Sequence, residues 1–219
     1  MRELNQGLFN FEHQKNFDEQ NYYVTKSNFY AHKLLNSWPK WEKRIVNLCG
    51  EQYSGKSHLI NIFIKKYKGK IIDAKSIDEN LNNLKIYENI ILENFSKEVE
   101  ENLIYSLINN IDSDNKFLII NSQVPVNEID FNLDDLTSRF KNCLIAKIEN
   151  PDDEMIYALL IKNFSDRQIQ LDKKLIDFII KRIDRSYGKI FEFIYKIDEI
   201  SLKKKKSINL NIIKETLKA

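Results

Sequence analysis

Short apolar runs alternate with helical hydrophobic periodicity along the first two thirds of the chain. Five runs have the length and the Ile, Leu and Val content of buried strands, at 45–49, 70–74, 89–94, 117–122 and 144–148. Between them, apolar residues recur at helical spacing, most clearly at Ile60, Phe63, Ile64 and Tyr67. Strands that alternate with helices form a parallel sheet covered on both faces. We therefore predict an α/β domain with a five-stranded parallel sheet.

The pattern changes at position 150, after which only helical periodicity is found. Asn150 can cap a helix and Pro151 suits its first position. We predict helices over 151–164, from Asp172 onward, over 187–202 and over 209–217. The chain is thus divided into a flexible tail (1–20), an α/β domain (21–149) and a small helical domain (150–219).

Serines are predicted to begin two helices of the α/β domain. Ser27 precedes a helix that reaches about Asn36, and Ser96 precedes a helix over 97–110. The second helix carries one apolar face, formed by Val99, Leu103, Leu107 and Ile108.

The stretch 50–57 follows the first strand, opens a helix and has the phosphate-loop pattern G-x-x-x-x-G-K-[ST]. Glycines let backbone amides converge on phosphate oxygens, and the helix N-terminus adds partial positive charge. Lys56 would reach the β- or γ-phosphate, and Ser57 would bind Mg²⁺. Tyr53 stands where many such loops carry a third glycine, so we expect unusual backbone there. The predicted nucleotide contacts of this stretch are Gly50, Gln52, Tyr53, Ser54, Gly55, Lys56, Ser57 and His58.

Tyr23 and Val24 lie upstream of the loop, where aromatic and apolar groups often line an adenine pocket. Such groups equally often belong to the core, and the sequence leaves both interpretations open.

Polar residues end the third and fourth predicted strands. Glu93 stands where a nucleotide hydrolase holds Mg²⁺ with a carboxylate. The next residue, Asn94, has no basic oxygen that could take a proton from water, so we expect weak or absent hydrolysis. Asn121 and Ser122 are candidates to sense the γ-phosphate or the attacking water; the alternative is a turn at the strand end.

Composition narrows the class of protein. A net charge of +2 with 30% charged residues gives no global basic field for nucleic acid. Cys49 and Cys143 lie in apolar runs without metal-ligand spacing, as expected for reduced thiols in a cytoplasmic protein. No apolar run has the length of a membrane span, and the first residues lack the apolar core of a signal peptide, so neither a span nor a leader is expected. A run of four lysines at 203–206 is expected to be a solvated loop, with contact to DNA or an acidic partner as the alternative.

The tail contains one apolar peptide. Phe9 and Phe11 would point the same way in an extended segment, so they need a pocket either on a partner or on their own domain.

Two further motifs complete a resemblance. Residues 135–140, Asp-Leu-Thr-Ser-Arg-Phe, are similar to an arginine-finger box, and residues 185–190, Arg-Ser-Tyr-Gly-Lys-Ile, to a lid motif. With the phosphate loop and the polar strand ends, their order resembles AAA+ modules, and more closely the family of the bacterial replication initiator DnaA. The resemblance implies an AAA+ P-loop module with a five-stranded parallel sheet covered by helices, followed by a small all-helical lid. We expect no C-terminal helix-turn-helix domain for DNA.

The resemblance also implies a mechanism. Short regulatory members of this family bind ADP or ATP, dock on the β sliding clamp of DNA polymerase III through the tail, and stimulate ATP hydrolysis by DnaA. Arg139 matches the finger that acts in trans, and Lys189 takes the place of a lid arginine. The clamp peptide corresponds to Gln6, Leu8, Phe9 and Phe11, with Gly7 in place of a usual leucine.

Several implications remain as alternatives. Mg²⁺ could accompany the nucleotide at Ser57 and Glu93, and a homodimer is allowed; DNA would be contacted only indirectly and no membrane is expected. A self-hydrolysing ATPase of the helicase-loader type and a DNA-associated adaptor are the competing functions. For Arg139, the alternative role is a structural salt bridge with Asp134 or Asp135.

Overall fold

The computed structural model describes residues 17–204 and 206–217. Its centre is one five-stranded sheet in the order β2-β3-β4-β1-β5, in which every pairing is parallel. The strands are β1 (Ile45–Cys49), β2 (Lys70–Asp73), β3 (Asn89–Phe95), β4 (Phe117–Ser122) and β5 (Leu144–Lys147). The predicted α/β sheet is confirmed, and each strand lies within a residue of its predicted bounds.

Helices cover both faces of the sheet and then form a separate layer. The first part contains α1 (Phe29–Asn36), α2 (Lys56–Tyr67), α3 (Ile77–Asn80), α4 (Glu101–Ser113) and α5 (Asp134–Lys141). The last part contains α6 (Asp153–Asp166), α7 (Lys173–Ile180), α8 (Tyr187–Lys204) and α9 (Leu210–Thr216). Short 3₁₀ turns occur at Glu19–Asn21, Ala74–Ser76, Leu81–Ile86 and Val126–Glu128.

Alternating side chains of the strands build two cores. Ile91 and Ile119 face the layer of α1 and α2, whereas their neighbours Leu92 and Ile120 face the layer of α3, α4 and α5. Both cores are closed by aliphatic side chains with almost no exposed surface, as expected for a parallel sheet buried on both faces. Helices α6 to α9 enclose a third core, centred on Leu160, Ile190 and Ile194.

Two helix starts in the sheet domain differ from the prediction. Asn28, not Ser27, is the N-cap position of α1, and its Oδ1 accepts a hydrogen bond from the Thr25 amide at 2.8 Å. Helix α4 begins at Glu101 rather than at residue 97, because the preceding residues form a turn in which the Val99 amide donates to the Ser96 carbonyl. At both positions the segment before the helix forms a turn, so the helix begins later than the serine predicted.

The lid also begins differently. Asp152 caps α6, and its Oδ1 accepts from the Met155 amide at 2.8 Å; the predicted cap at Asn150 is wrong. A carboxylate is a stronger partner for a helix N-terminus than an amide oxygen. The predicted lysine loop is also shifted, since Lys203 and Lys204 belong to the last turn of α8. No helix in the described residues is both long and apolar enough to span a bilayer.

Candidate nucleotide-binding site

The phosphate loop joins β1 to α2 at the carboxyl edge of the sheet. Gly50 passes so close to the chain after β5 that a Cβ there would lie 2.9 Å from the Ile148 carbonyl oxygen. Gly55, with φ +93°, immediately precedes the first turn of α2 in a left-handed conformation. Glycine is thus required at both ends of the loop.

Tyr53 is left-handed at φ +68°, a conformation that costs a residue with a Cβ free energy. The expectation of unusual backbone at this position is confirmed. Its exposed ring lies 5.3 Å from the ring of Phe191 in α8, centroid to centroid. The side chain that replaces a glycine therefore contacts the lid.

Lys56 is held against the loop itself. Its ammonium donates to the carbonyl oxygens of Gly50 at 2.6 Å and Glu51 at 2.8 Å. Burial lowers the pKa of Lys56 because desolvation disfavours the charged form. Ser54 is buried, and its hydroxyl has no hydrogen-bond partner in the part of the chain that the structure describes, whereas Ser57, like Gln52, is exposed. The loop thus presents one cation and one exposed hydroxyl at the start of α2.

The segment before α1 packs on the loop through a residue that the sequence analysis passed over. A Cβ at Gly55 would lie 3.3 Å from the ring of Tyr22, and this ring meets His58 edge to face at 5.2 Å. Burial raises the pKa of the Tyr22 phenol. Tyr23 and Val24, the predicted adenine contacts, are 61% and 38% exposed. The alternating orientation of adjacent residues in an extended segment could have indicated Tyr22 instead.

Two polar residues lie on the sheet face that α2 covers. Glu93 and Asn121 each follow an α2-facing isoleucine by two positions, so they share its face at the carboxyl end of the sheet. Asn121 is only 7% exposed, and its Oδ1 has no hydrogen-bond partner among the described residues. An unpaired buried amide oxygen is costly unless something else satisfies it. The structure thus brings both predicted residues to the side of the loop.

Asn94 and Ser122 are engaged elsewhere. Asn94 is left-handed at φ +58°, and its Nδ2 donates to Asp73 Oδ2 at 2.5 Å, on the edge strand. The Ser122 hydroxyl donates to the Val124 carbonyl at 2.6 Å and accepts from Asn47 Nδ2 at 2.8 Å. These bonds give Ser122 a role in shaping the turn after β4.

The loop is joined to the lid by Glu51, which the sequence analysis did not single out. Its Oε1 accepts from the Ser186 hydroxyl at 2.5 Å and the Gly188 amide at 3.1 Å, and its Oε2 accepts from the Tyr187 amide at 2.8 Å. One carboxylate therefore caps the N-terminus of α8, where partial positive charge favours an anion. The contact spans more than 130 positions of sequence, and no local signal could have indicated it.

Lys189, the predicted lid sensor, is not turned to the loop. Its ammonium pairs with Glu192 at 2.9 Å, and this hydrogen bond raises the pKa of Lys189. In the described residues it is Glu51, not Lys189, that connects loop and lid.

Comparison with known proteins agrees with this architecture. Residues 152–217 match the family model described as Hda, lid domain. An uncharacterised protein of Haemophilus influenzae is 24% identical over 217 residues, covering 89% of this chain and 93% of the relative. The initiator DnaA of Chlorobaculum tepidum is 28% identical over 122 residues, or 56% of this chain and 25% of DnaA.

Solved structures show the same fold. Domain III of Thermotoga maritima DnaA superposes with a TM-score of 0.71 at 17% identity, over 94% of this chain and 97% of that domain. Aquifex aeolicus DnaA bound to AMPPCP gives 0.61 at 20% identity, over 84% and 64%. The last third of the chain is thus similar to the Hda lid, and the chain has the fold of DnaA domain III. It spans only about a quarter of the length of the Chlorobaculum DnaA that it matches.

Arg139 lies on α5, in the helical layer opposite α2. Its guanidinium bonds to Asp112 at 2.5 Å, to Asn109 Oδ1 at 3.0 Å and to Asp135 at 3.5 Å. Three neighbours hold the side chain, which still reaches the surface because it is 29% exposed. The alternative of a salt bridge with Asp135 is present in the structure, with Asp112 as a closer partner.

The predicted Mg²⁺ ligands and the predicted clamp peptide remain to be placed. No group of three or more His, Cys, Asp and Glu side chains in the part of the chain that the structure describes could hold a metal ion by itself. Ser57 and Glu93 would therefore need phosphate oxygens to complete a Mg²⁺ site. The clamp-peptide residues Gln6, Leu8, Phe9 and Phe11 lie outside the described residues.

Proposed function

We propose that this protein is a regulator of replication initiation that binds ADP or ATP, docks on the sliding clamp and promotes ATP hydrolysis by DnaA. The observation that carries the proposal is the match of residues 152–217 to the Hda lid, on a lid that Glu51 bonds directly to a phosphate loop. DnaA and the clamp are the proposed partners, and a homodimer is compatible with the fold.

Nucleotide binding is supported by the chemistry of the loop. Gly50 and Gly55 allow the close backbone, Lys56 supplies the cation, and Asn121 offers an unpaired buried oxygen. Mg²⁺, when bound, would neutralise phosphate charge, with Ser57 and Glu93 as its protein ligands. That DnaA of Aquifex aeolicus was solved with AMPPCP also supports an adenine nucleotide at this site.

Isothermal titration with ADP and with ATP tests this step. We expect the wild type to bind and Lys56→Ala to lose binding, because the phosphates lose their main side-chain partner. Lys66→Ala, at the other end of α2, is the matched control and should bind normally. A wild-type protein that binds neither nucleotide at millimolar concentration would refute the proposed site.

Hydrolysis by the protein itself should be weak. Asn94 has no base and is turned to Asp73, and general-base catalysis typically contributes roughly 10²- to 10⁴-fold. The second candidate function, a self-hydrolysing ATPase of the helicase-loader type, predicts a robust steady-state rate that Lys56→Ala abolishes.

Clamp docking rests on the tail peptide. Phe9→Ala combined with Phe11→Ala should remove clamp binding and leave nucleotide binding intact, because buried aromatics dominate peptide pockets. Unchanged clamp affinity of the double variant would show that the peptide is not the docking element.

The role of Arg139 is stimulation of DnaA in trans. A guanidinium is always charged and presents forked donors to phosphate oxygens. To bind a partner's phosphate, the Arg139 guanidinium must leave the carboxylates of Asp112 and Asp135. Both carboxylates are substantially exposed, so their ion pairs with Arg139 are weak.

A further inference from the structure

The near-zero net charge conceals a strong separation of charge along the sheet domain. Residues 26–70 contain ten Lys and Arg against two acidic residues, whereas residues 71–135 contain four against fourteen. The first stretch supplies α1 and α2, and the second supplies α3, α4 and α5. Because these helices cover opposite faces of one sheet, the domain has a basic helical layer and an acidic one.

The basic layer presents one continuous surface, which we call the basic face. It lies at the C-terminal ends of α1 and α2 and in the segments that follow them, and it consists of exposed Lys33, Lys40, Lys43, Lys65, Lys66 and Lys68 with half-buried Arg44. Lys66 donates to Asn36 Oδ1 of α1 at 3.2 Å, which joins the two helix ends. Trp38 packs on Tyr67 at 4.8 Å and on Phe117 at 5.9 Å, which fixes the intervening segment.

Most of this charge has no carboxylate partner in the described part of the molecule, although Lys66 and Arg44 donate to Asn36 and Asn115. Among the described residues, Lys65 has a carboxylate within 4 Å, that of Asp18, and no carboxylate lies that close to the other exposed lysines of the basic face. Asp18, Glu19 and Glu42 are the exposed acidic residues between positions 17 and 50, and exposed Asp114 precedes Asn115, to which Arg44 donates. Lysines at helix C-termini often complement the helix dipole, but Lys40, Lys43 and Lys68 lie outside the helices.

The chemistry of the basic face selects its partner. Cores of protein–protein interfaces are depleted in lysine and need buried apolar or aromatic anchors. Phe29 and Tyr30 are exposed in the first turn of α1, one turn before Lys33, whereas the described residues within 31–44 and 54–70 expose no large apolar side chain. A phosphate backbone needs only positive charge on flexible stems, which the lysines of the basic face supply, whereas unpaired bases need exposed rings to stack on.

We propose that the basic face binds the phosphate backbone of duplex DNA without sequence preference. The duplex would lie across the ends of α1 and α2, while the acidic layer faces away from it. This inference is independent of the nucleotide site, and it departs from the expectation, based on net charge, that DNA is contacted only indirectly. Direct DNA contact would keep the protein beside a DNA-loaded partner.

Fluorescence anisotropy with a labelled 30-base-pair duplex, measured over a series of salt concentrations, tests the proposal on the full chain. The test variant is Lys33→Gln/Lys43→Gln/Lys68→Gln, which neutralises three exposed lysines. The control is Lys173→Gln/Lys174→Gln/Lys214→Gln, which makes the same change of net charge on exposed positions of the lid. Thermal unfolding of both variants checks that they fold, as expected for surface substitutions.

We expect salt-sensitive binding by the wild type and by the control variant. The test variant should bind at least about tenfold more weakly at low salt, and its log–log salt slope should fall by about one for each lysine that contacts a phosphate. Equal weakening by the control, or unchanged binding by the test variant, would overturn the proposal. So would tighter binding of single-stranded DNA of the same length.

The basic face could instead bind the acidic layer of a second copy of the chain. Sedimentation velocity tests for such a dimer. A salt-sensitive dimer that the test variant abolishes, with no binding of the duplex by the wild type, would assign the basic face to self-association and refute DNA binding.

Discussion

The carboxylate of Glu51 in the phosphate loop accepts a hydrogen bond from the backbone amide of Tyr187, the first residue of α8, at 2.8 Å. The same carboxylate accepts from Ser186 and Gly188, so the loop caps the longest helix of the lid. One carboxylate of the loop is therefore bonded directly to the lid. Tyr187 itself is buried in the core beside α2, which places this contact between two packed units.

Glu51→Ala should loosen the lid. Loss of a charged cap and of its hydrogen bonds should cost about 1–3 kcal/mol. We expect faster hydrogen exchange at the amides of Tyr187 and Gly188, with a smaller effect in Glu51→Gln, which keeps an acceptor but loses the charge. Glu149→Ala, an exposed carboxylate paired with Lys147, is the control. If the amides of Tyr187 and Gly188 exchange equally fast in Glu51→Ala and Glu149→Ala, the Glu51 cap does not hold the lid.

Tyr53 allows a test of backbone strain in the loop. Tyr53→Ala and Tyr53→Gly both remove the contact with Phe191, but only glycine relieves the left-handed backbone. We expect the glycine variant to be more stable than the alanine variant by about 1 kcal/mol in urea denaturation. Equal stabilities of the two variants would mean that the left-handed backbone at position 53 has no free-energy cost.

The two cysteines should be inert in the native protein. Burial raises the pKa of the Cys49 and Cys143 thiols to about 11. At pH 8 only about one thiol in a thousand is then ionised, and the thiolate is the reactive form. Alkylation by iodoacetamide should be slow in buffer, rise about tenfold per pH unit below the pKa, and become fast in urea. Rapid labelling of the native protein at pH 8 would contradict this environment.

Regular patterns predicted the sheet because each strand is a single apolar run whose burial depends on its own composition. Helix starts were less predictable, since Asn28 at the start of α1 bonds back to Thr25 and α6 is capped by Asp152 rather than by the neighbouring Asn150. Glu51 and the Asp112 partner of Arg139 could not be found because both contacts join distant segments. The basic face was hidden because the chain average cancels two oppositely charged layers.

Arg139 is proposed to stimulate DnaA, and the alternative is that it only forms structural ion pairs. Two variants separate these roles. Arg139→Ala removes both the guanidinium and its ion pairs. Asp112→Ala removes the closest ion pair but leaves the guanidinium. Arg139→Lys keeps the charge but lacks the forked donors, so it should rescue little.

The most direct measurement is the rate of ATP hydrolysis by DnaA in the presence of clamp-loaded DNA and each variant. An arginine finger in trans is worth roughly 10³- to 10⁵-fold in related phosphate chemistry. We predict that the wild-type protein and Asp112→Ala stimulate DnaA, and that Arg139→Ala folds, binds nucleotide and the clamp, yet gives almost no stimulation. Stimulation by Arg139→Ala equal to that of the wild type, or no stimulation by the wild type, would contradict the account.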